Sequence, residues 1–154
     1  MEPDEPGWVD QVVEEIIDPD QRIIDPHHHL WPEGESLDYG LEDLHVDTGS
    51  GHRVEATVFV ECHASYRSEG PEHLCSLGET EFVAAAAQAS RAVSGQATIK
   101  GIVSNVDLRL DDVDAVLDAH EAAGQGLFRG VRHAIAFTPD VTDMRIPGLS
   151  LIHI

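Results

Sequence analysis

Apolar and polar positions along the chain fall into blocks whose spacing switches between a helical period of about 3.6 and a strand period of 2. Trp8, Val12, Val13 and Ile16 lie at helical spacing and the pattern stops at Asp18-Pro19, which predicts a short N-terminal helix outside the main fold. Arg22 to Asp25 predicts a first strand. A second strand is predicted over Glu55 to Cys62. There Ala56, Val58, Val60 and Cys62 share one face, while Thr57, Phe59, Glu61 and His63 share the other. The wholly apolar set is expected to pack against helices, leaving Glu61 and His63 on the opposite side. Ser76-Leu-Gly-Glu79 has the form of a capping box and opens a predicted helix running to about Ser94, with Gly95 as its stop. Ile99 to Val106 predicts a third strand that ends at Asp107. Asp111 or Asp112 then caps a helix with Val113, Val116, Leu117 and His120 on one stripe, closed by Gly124. His120 reads there as a packing residue. Phe128 to His133 predicts a fourth strand.

Strands that alternate with helices call for a parallel sheet with helices outside it. The connections that follow strands are the longer ones. Pro32 to Arg53 is acidic and glycine-bearing, with a short helical piece near Leu41 to His45, and is a candidate lid. Its Tyr39, His45 and His52 are expected at the surface. In the polar stretch Ala64 to Cys75, Arg67 offers a cation to an acidic substrate, though a solvated position is the simpler role.

Charge narrows the function classes. The formal net charge is −20, with one lysine, Lys100, against 29 carboxylates. No basic patch exists to meet phosphates, so nucleic-acid binding is disfavoured. Such an excess of acid keeps a chain soluble and makes it repel itself at low salt, as in salt-adapted proteins. Cys62 and Cys75 do not make a disulfide framework. With no charged-then-apolar leader and no membrane-length apolar run, a cytoplasmic location without membrane contact is expected.

The chemistry concentrates in Ile23 to Trp31, Ile-Ile-Asp-Pro-His-His-His-Leu-Trp. Asp25, His27 and His29 stand at every second position, so in an extended strand they point to one spot, with His28 and Leu30 facing away. Two neutral imidazoles on a stiff element suit a divalent metal. Asp25 two places earlier suits a ligand or an orienting partner. A solvated polar turn is the bland alternative, which the preceding strand and the following Trp31 disfavour. Glu61 has two readings of equal weight: a ligand, base or orienting group, or a salt bridge to an arginine of a neighbouring strand. Asp107 suits a turn-closing role better than a ligand role. Arg132 offers a planar fork for a carboxylate, and His133 is a second substrate-binding candidate. Alternation forbids both from pointing inward on a regular strand.

Asp-x-His-x-His-Leu-Trp at the end of a first strand resembles the amidohydrolase-related family of the metal-dependent hydrolase superfamily, built on a (β/α)8 TIM barrel. Thr57-Val-Phe-Val-Glu61, Gly78-Glu-Thr-Glu-Phe82, Gly101-Ile-Val, Asp107-Leu and Phe128-Arg-Gly-Val-Arg-His133 follow in the order of its lactonase-like branch. The resemblance covers about Trp8 to His133. It implies an α/β fold, with this chain as the N-terminal half of the barrel: about four parallel strands with outer helices. A complete barrel takes about 250 residues, against 154 here. The expected division is an extension over 1–21, a partial barrel over 22–148 and a tail over 149–154. That tail, Leu149-Ser-Leu-Ile-His-Ile154, resembles a translated sequencing adapter, so His153 carries no functional weight.

The implied activity is hydrolysis, opening a lactone with metal-activated water. His27 and His29 are the metal ligands, Zn or Mn the expected cofactor, and the general base is expected beyond this half. Some members of that branch work without metal, the histidine pair then binding substrate. The implied partner is a small molecule such as an acidic lactone, and a homo-oligomer is compatible with the full-length protein. A non-oxidative decarboxylase of the same superfamily and an inert truncated product are the alternatives.

Overall fold

The computed structural model describes residues 14–35 and 37–133. The adapter-like tail, the stretch over 134–148 and most of the expected N-terminal helix lie outside the described residues. Glu14 to Ile16, the described end of that helix, are not helical. The elements alternate as β1 (Arg22–His28), α1 (Leu41–Thr48), β2 (Arg53–Val60), α2 (Leu77–Ala92), β3 (Thr98–Asn105), α3 (Val113–Ala123) and β4 (Phe128–Arg132), with a 3-10 turn at Glu72–Leu74 before α2. One sheet results, in the order β1-β2-β3-β4, and every adjacent pair is parallel. Parallel neighbours need a crossover, and the intervening helices supply it. No helix among the described residues is long and apolar enough to cross a membrane.

The core lies between the sheet and the helices. Phe59, Ile99 and Ile102 from the strands form one buried cluster with Val83, Ala84 and Ala87 of α2, Leu44 of α1, and Leu30 and Leu127. Each large side chain buried there contributes about 1.5–3 kcal/mol. Ala84 and Ala87 are small enough to let α2 lie close to the strands.

This packing reverses the faces expected for β2. Thr57 and Phe59, both at 0% exposure, belong to the helix side. Val58 pairs with Gly101, where an added Cβ would lie 3.3 Å from both Val58 and Arg129, so Val58 lines the opposite face of the sheet. Strands of parallel sheets read apolar on both faces, so polarity alone cannot choose between them. Phe59 has the volume to fill the space above the alanines of α2, and volume decides.

Two register slips carry charge out of the sheet. Thr57 pairs with Ile99 and Val58 with Gly101, which leaves Lys100 as an extra, exposed residue. Ile102 pairs with Phe128 and Val103 with Gly130, which leaves Arg129 in the same position on β4. A bulge of this kind re-aims a side chain at the cost of one ladder position.

The expected capping box at the start of α2 is absent. Ser76 precedes the helix in helical conformation with no side-chain cap bond. Its Oγ lies 3.2 Å from His120 Nε2, while Glu79 Oε1 accepts backbone N–H groups of the preceding loop. The chain enters α2 from a turn that is already helical, and Gly78 N–H bonds to the Cys75 carbonyl. Part of the usual need for a cap is thereby met. Thr80 Oγ1 lies 2.8 Å from Ser104 Oγ and 2.8 Å from His120 Nδ1. His120 also stacks on Phe128, so one buried polar chain ties α2, α3, β3 and β4 together.

Candidate functional site

Apart from Asp25, in the middle of β1, the candidate residues stand at the C-terminal end of the sheet, where open parallel sheets bind ligands. His27 to His29 close β1, Glu61 to Ala64 follow β2, Asp107 follows β3, and Arg132 and His133 end β4.

His27 Nε2 and His29 Nε2 lie 3.3 Å apart, with their rings edge to face. His29 Nδ1 lies 2.7 Å from the Val60 carbonyl oxygen. A carbonyl only accepts, so Nδ1 carries the proton and Nε2 of the neutral ring presents its lone pair. Burial pushes the His29 pKa down, against the Val60 bond, and the charges of His27 and Arg132 add to the fall. Two nitrogens each about 2.0–2.1 Å from one tetrahedral ion stand about 3.3–3.4 Å apart, so the pair as it stands fits one edge of such a site. No group of three or more His, Cys, Asp or Glu side chains is placed to hold an ion among the described residues.

Asp25 does not join the pair in that way. Its Oδ1 accepts the His27 backbone N–H at 3.0 Å, where the register of β1 breaks. The carboxylate supports the backbone that presents His27. His28 faces the core at 7% exposure, edge-on to Phe59, and neither of its ring nitrogens has a hydrogen-bond partner among the described residues. Burial pushes its pKa down to about 4.

Glu61 meets Arg132 across two strands. Arg132 Nε donates to Glu61 Oε1 at 2.7 Å, and Nη2 donates to the Glu61 carbonyl oxygen at 2.5 Å. The salt-bridge reading of Glu61 is therefore the one with a visible partner. The Arg132 fork is half engaged, leaving Nη1 without a hydrogen-bond partner among the described residues. Both groups bear electrostatically on His29, which places the three in one neighbourhood. His133 is turned to the β3 end: its Nδ1 accepts the Leu108 N–H at 3.2 Å and its Nε2 faces Asp107 Oδ1 at 3.8 Å. Asp107 itself is held by Arg109 through two side-chain bonds of 2.9 and 2.7 Å and a backbone bond of 2.9 Å. Those bonds keep its carboxyl well below the usual range.

The stretch after β1 folds back on itself. Trp31 N–H bonds to the Tyr39 carbonyl at 2.8 Å, and Tyr39 Oη donates to Asp47 at 2.6 Å. His45, expected at the surface, is buried at 9% exposure, and His52 is exposed. After β2, His63 and Ser65 have φ of +66° and +52°, and the His63 and Tyr66 rings pack 4.0 Å apart. Cys62 is half buried, and burial pushes its thiol up to about 12, which makes it inert as a nucleophile.

Glu79 is the residue that sequence reasoning misplaced. Its Oε1 accepts Cys62 N–H at 3.0 Å and Ala64 N–H at 2.8 Å, and it is 1% exposed. Burial pushes its carboxyl up to about 7, against those two bonds, with the charge of Glu61 adding to the rise. Its position three residues after Ser76 pointed to a cap, and no local signal marks a carboxylate that reaches another loop. Comparison with known proteins gave no match to a family model, to a curated protein or to a solved structure.

Proposed function

We propose that residues 22–133 are three βα units and the fourth strand of a (β/α)8 barrel whose mouth is a hydrolytic centre that opens a lactone. The observation that carries this reading is the 3.3 Å separation of His27 Nε2 and His29 Nε2, with Val60 holding the proton on Nδ1 of the second ring so that its Nε2 keeps a lone pair. Four sequential parallel strands with helices on one side support the barrel, and eight such units close one.

His27 and His29 would hold a divalent ion, Zn or Mn, with the rest of its coordination from water and from groups outside residues 14–133. Such an ion would supply Lewis acidity, polarising an ester carbonyl and lowering the pKa of a water so that hydroxide is available near neutral pH. The chain's own residues do the positioning. Asp25 supports the backbone at His27, and Val60 sets the His29 tautomer. Arg132 offers its free Nη1 edge to the carboxylate of an acidic lactone, with Glu61 steadying the other edge. His133, tied to Leu108 and Asp107, supports the β4 end that carries Arg132.

Cobalt binding by the 154-residue chain, followed by visible absorption, tests the metal reading: binding is expected, and its loss in both His27→Ala and His29→Ala. Hydrolysis itself requires a protein with all eight units, and the 154-residue chain alone is expected to show no turnover. Such a protein is expected to open lactones, to lose activity on chelation and to regain it with Zn²⁺ or Mn²⁺. Lactone opening indifferent to chelation would assign the pair to substrate binding. Release of CO₂ from aromatic acids without lactone opening would replace hydrolysis by decarboxylation.

A further inference from the structure

We propose that Glu79 is a positioning residue for Arg132, acting through the single peptide unit that joins Glu61 to Cys62. That peptide is gripped from both sides. Its carbonyl oxygen accepts Arg132 Nη2–H at 2.5 Å, and its N–H donates to Glu79 Oε1 at 3.0 Å. The same oxygen takes the Ala64 N–H at 2.8 Å, so two donors of one turn converge on one side chain of α2. Glu61 Oε1 completes the hold on Arg132 at Nε. The place of the guanidinium therefore follows from the place of this peptide, and α2 sets it through Glu79.

The turn needs such an anchor. His63 and Ser65 both occupy the left-handed region, which residues with a side chain enter only when their surroundings impose it. Directly beside them, the first turn of α2 presses so close that an added Cβ on Gly78 would collide with the Ser65 carbonyl oxygen and lie 2.8 Å from Arg67 N. Packing alone would favour an apolar residue at position 79. Glu79 is 1% exposed and its Oε2 has no hydrogen-bond partner among the described residues, a costly arrangement for a carboxyl group. What a glutamate supplies there, and a leucine cannot, is one acceptor for two backbone donors.

This inference rests on the reading of Arg132 as the contact for a substrate anion, yet its test needs no substrate. In the ¹⁵N-labelled 154-residue chain, the Arg132 Nε–H signal, identified by its loss in Arg132→Lys, is expected to exchange slowly with solvent. Glu79→Gln keeps a carbonyl oxygen where Oε1 stands and is expected to preserve the signal. Glu79→Asp is too short to reach both donors and Glu79→Ala has no acceptor, so in either folded variant exchange is expected to rise about tenfold or more. An equally protected signal in a folded Ala or Asp variant overturns the proposal. Should neither variant fold, the wild-type Cys62 and Ala64 amides decide: exchange as slow as that of α2 supports the anchor, and exchange at loop rates overturns it. Glutarate separates the two readings. A wild-type Arg132 signal that depends on residue 79 but ignores glutarate removes the anion role and leaves the positioning role standing.

Discussion

Two buried groups of opposite sign are expected to shape how stability depends on pH. His120 has no solvent exposure, a stack on Phe128, and hydroxyl partners at 2.8 and 3.2 Å. Burial, aided by the charge of Arg67, pushes its pKa from 6.5 down to about 4. The unfolded chain then takes up a proton that the native state refuses. Its contribution is present above pH 6.5 and is lost as pH falls toward 4, at about 1.4 kcal/mol per pH unit. Glu79 runs the other way. Its folded pKa of about 7 lies above the ordinary 4.5, so the native state keeps a proton that the unfolded chain releases. That contribution is present below pH 4.5 and is lost as pH rises through 7, again at about 1.4 kcal/mol per unit. Between pH 4.5 and 6.5 these two slopes cancel, and buried His28, its pKa also pushed down to about 4, leaves the parent more stable as pH rises. Urea melts at quarter-unit pH steps, at constant ionic strength, would separate them. His120→Phe keeps the stack and removes the titration. It is expected to lose about 1–3 kcal/mol at pH 7 because the Ser76 hydroxyl is left without its partner, and its slope should fall by about 1.4 kcal/mol per pH unit relative to the parent. Glu79→Gln should raise the slope by the same amount. A parent slope unchanged by both substitutions would refute the assignment of these groups as the opposing pair.

Further outcomes follow from packing and charge. Phe59→Ala is expected to cost about 3–5 kcal/mol in a denaturant melt, and Val58→Ala clearly less, because only Phe59 lies among the side chains of α2. Equal costs would contradict the reversed faces of β2. Gly78→Ala is expected to destabilise by about 1–3 kcal/mol through overpacking, whereas Gly130→Ala, with nothing within 4 Å of the added carbon, should stay within about 0.5 kcal/mol. At a formal charge of −20, raising NaCl from low to physiological concentration should raise the melting temperature, since screening weakens self-repulsion. A flat or falling salt dependence would count against that repulsion. His29→Ala should weaken cobalt binding by about 100-fold or more, beyond what loss of an orienting partner brings.

Much of the architecture follows from local pattern. Periods of 3.6 and 2, proline and glycine stops, and the helix–strand alternation place three helices and four strands near their observed bounds. They also imply the parallel sheet, because such elements have few other ways to bury their apolar sides. The convergence of His27 and His29 was legible too, since it needs only the two-residue repeat of a strand. What tertiary structure alone decided concerns groups whose partners are distant in sequence. β2 carries apolar residues on both faces, Val58 on one and Phe59 on the other, so which face met the helices depended on volume contributed by α2. Ser76 and Glu79 carry the local signature of a cap, yet His120, 44 residues after Ser76, and the Cys62–Ala64 turn claim them. Glu61 was open to two roles until β4 brought Arg132 beside it. A short-range pattern fixes a residue's direction along its own element; only the assembled sheet fixes what it meets there.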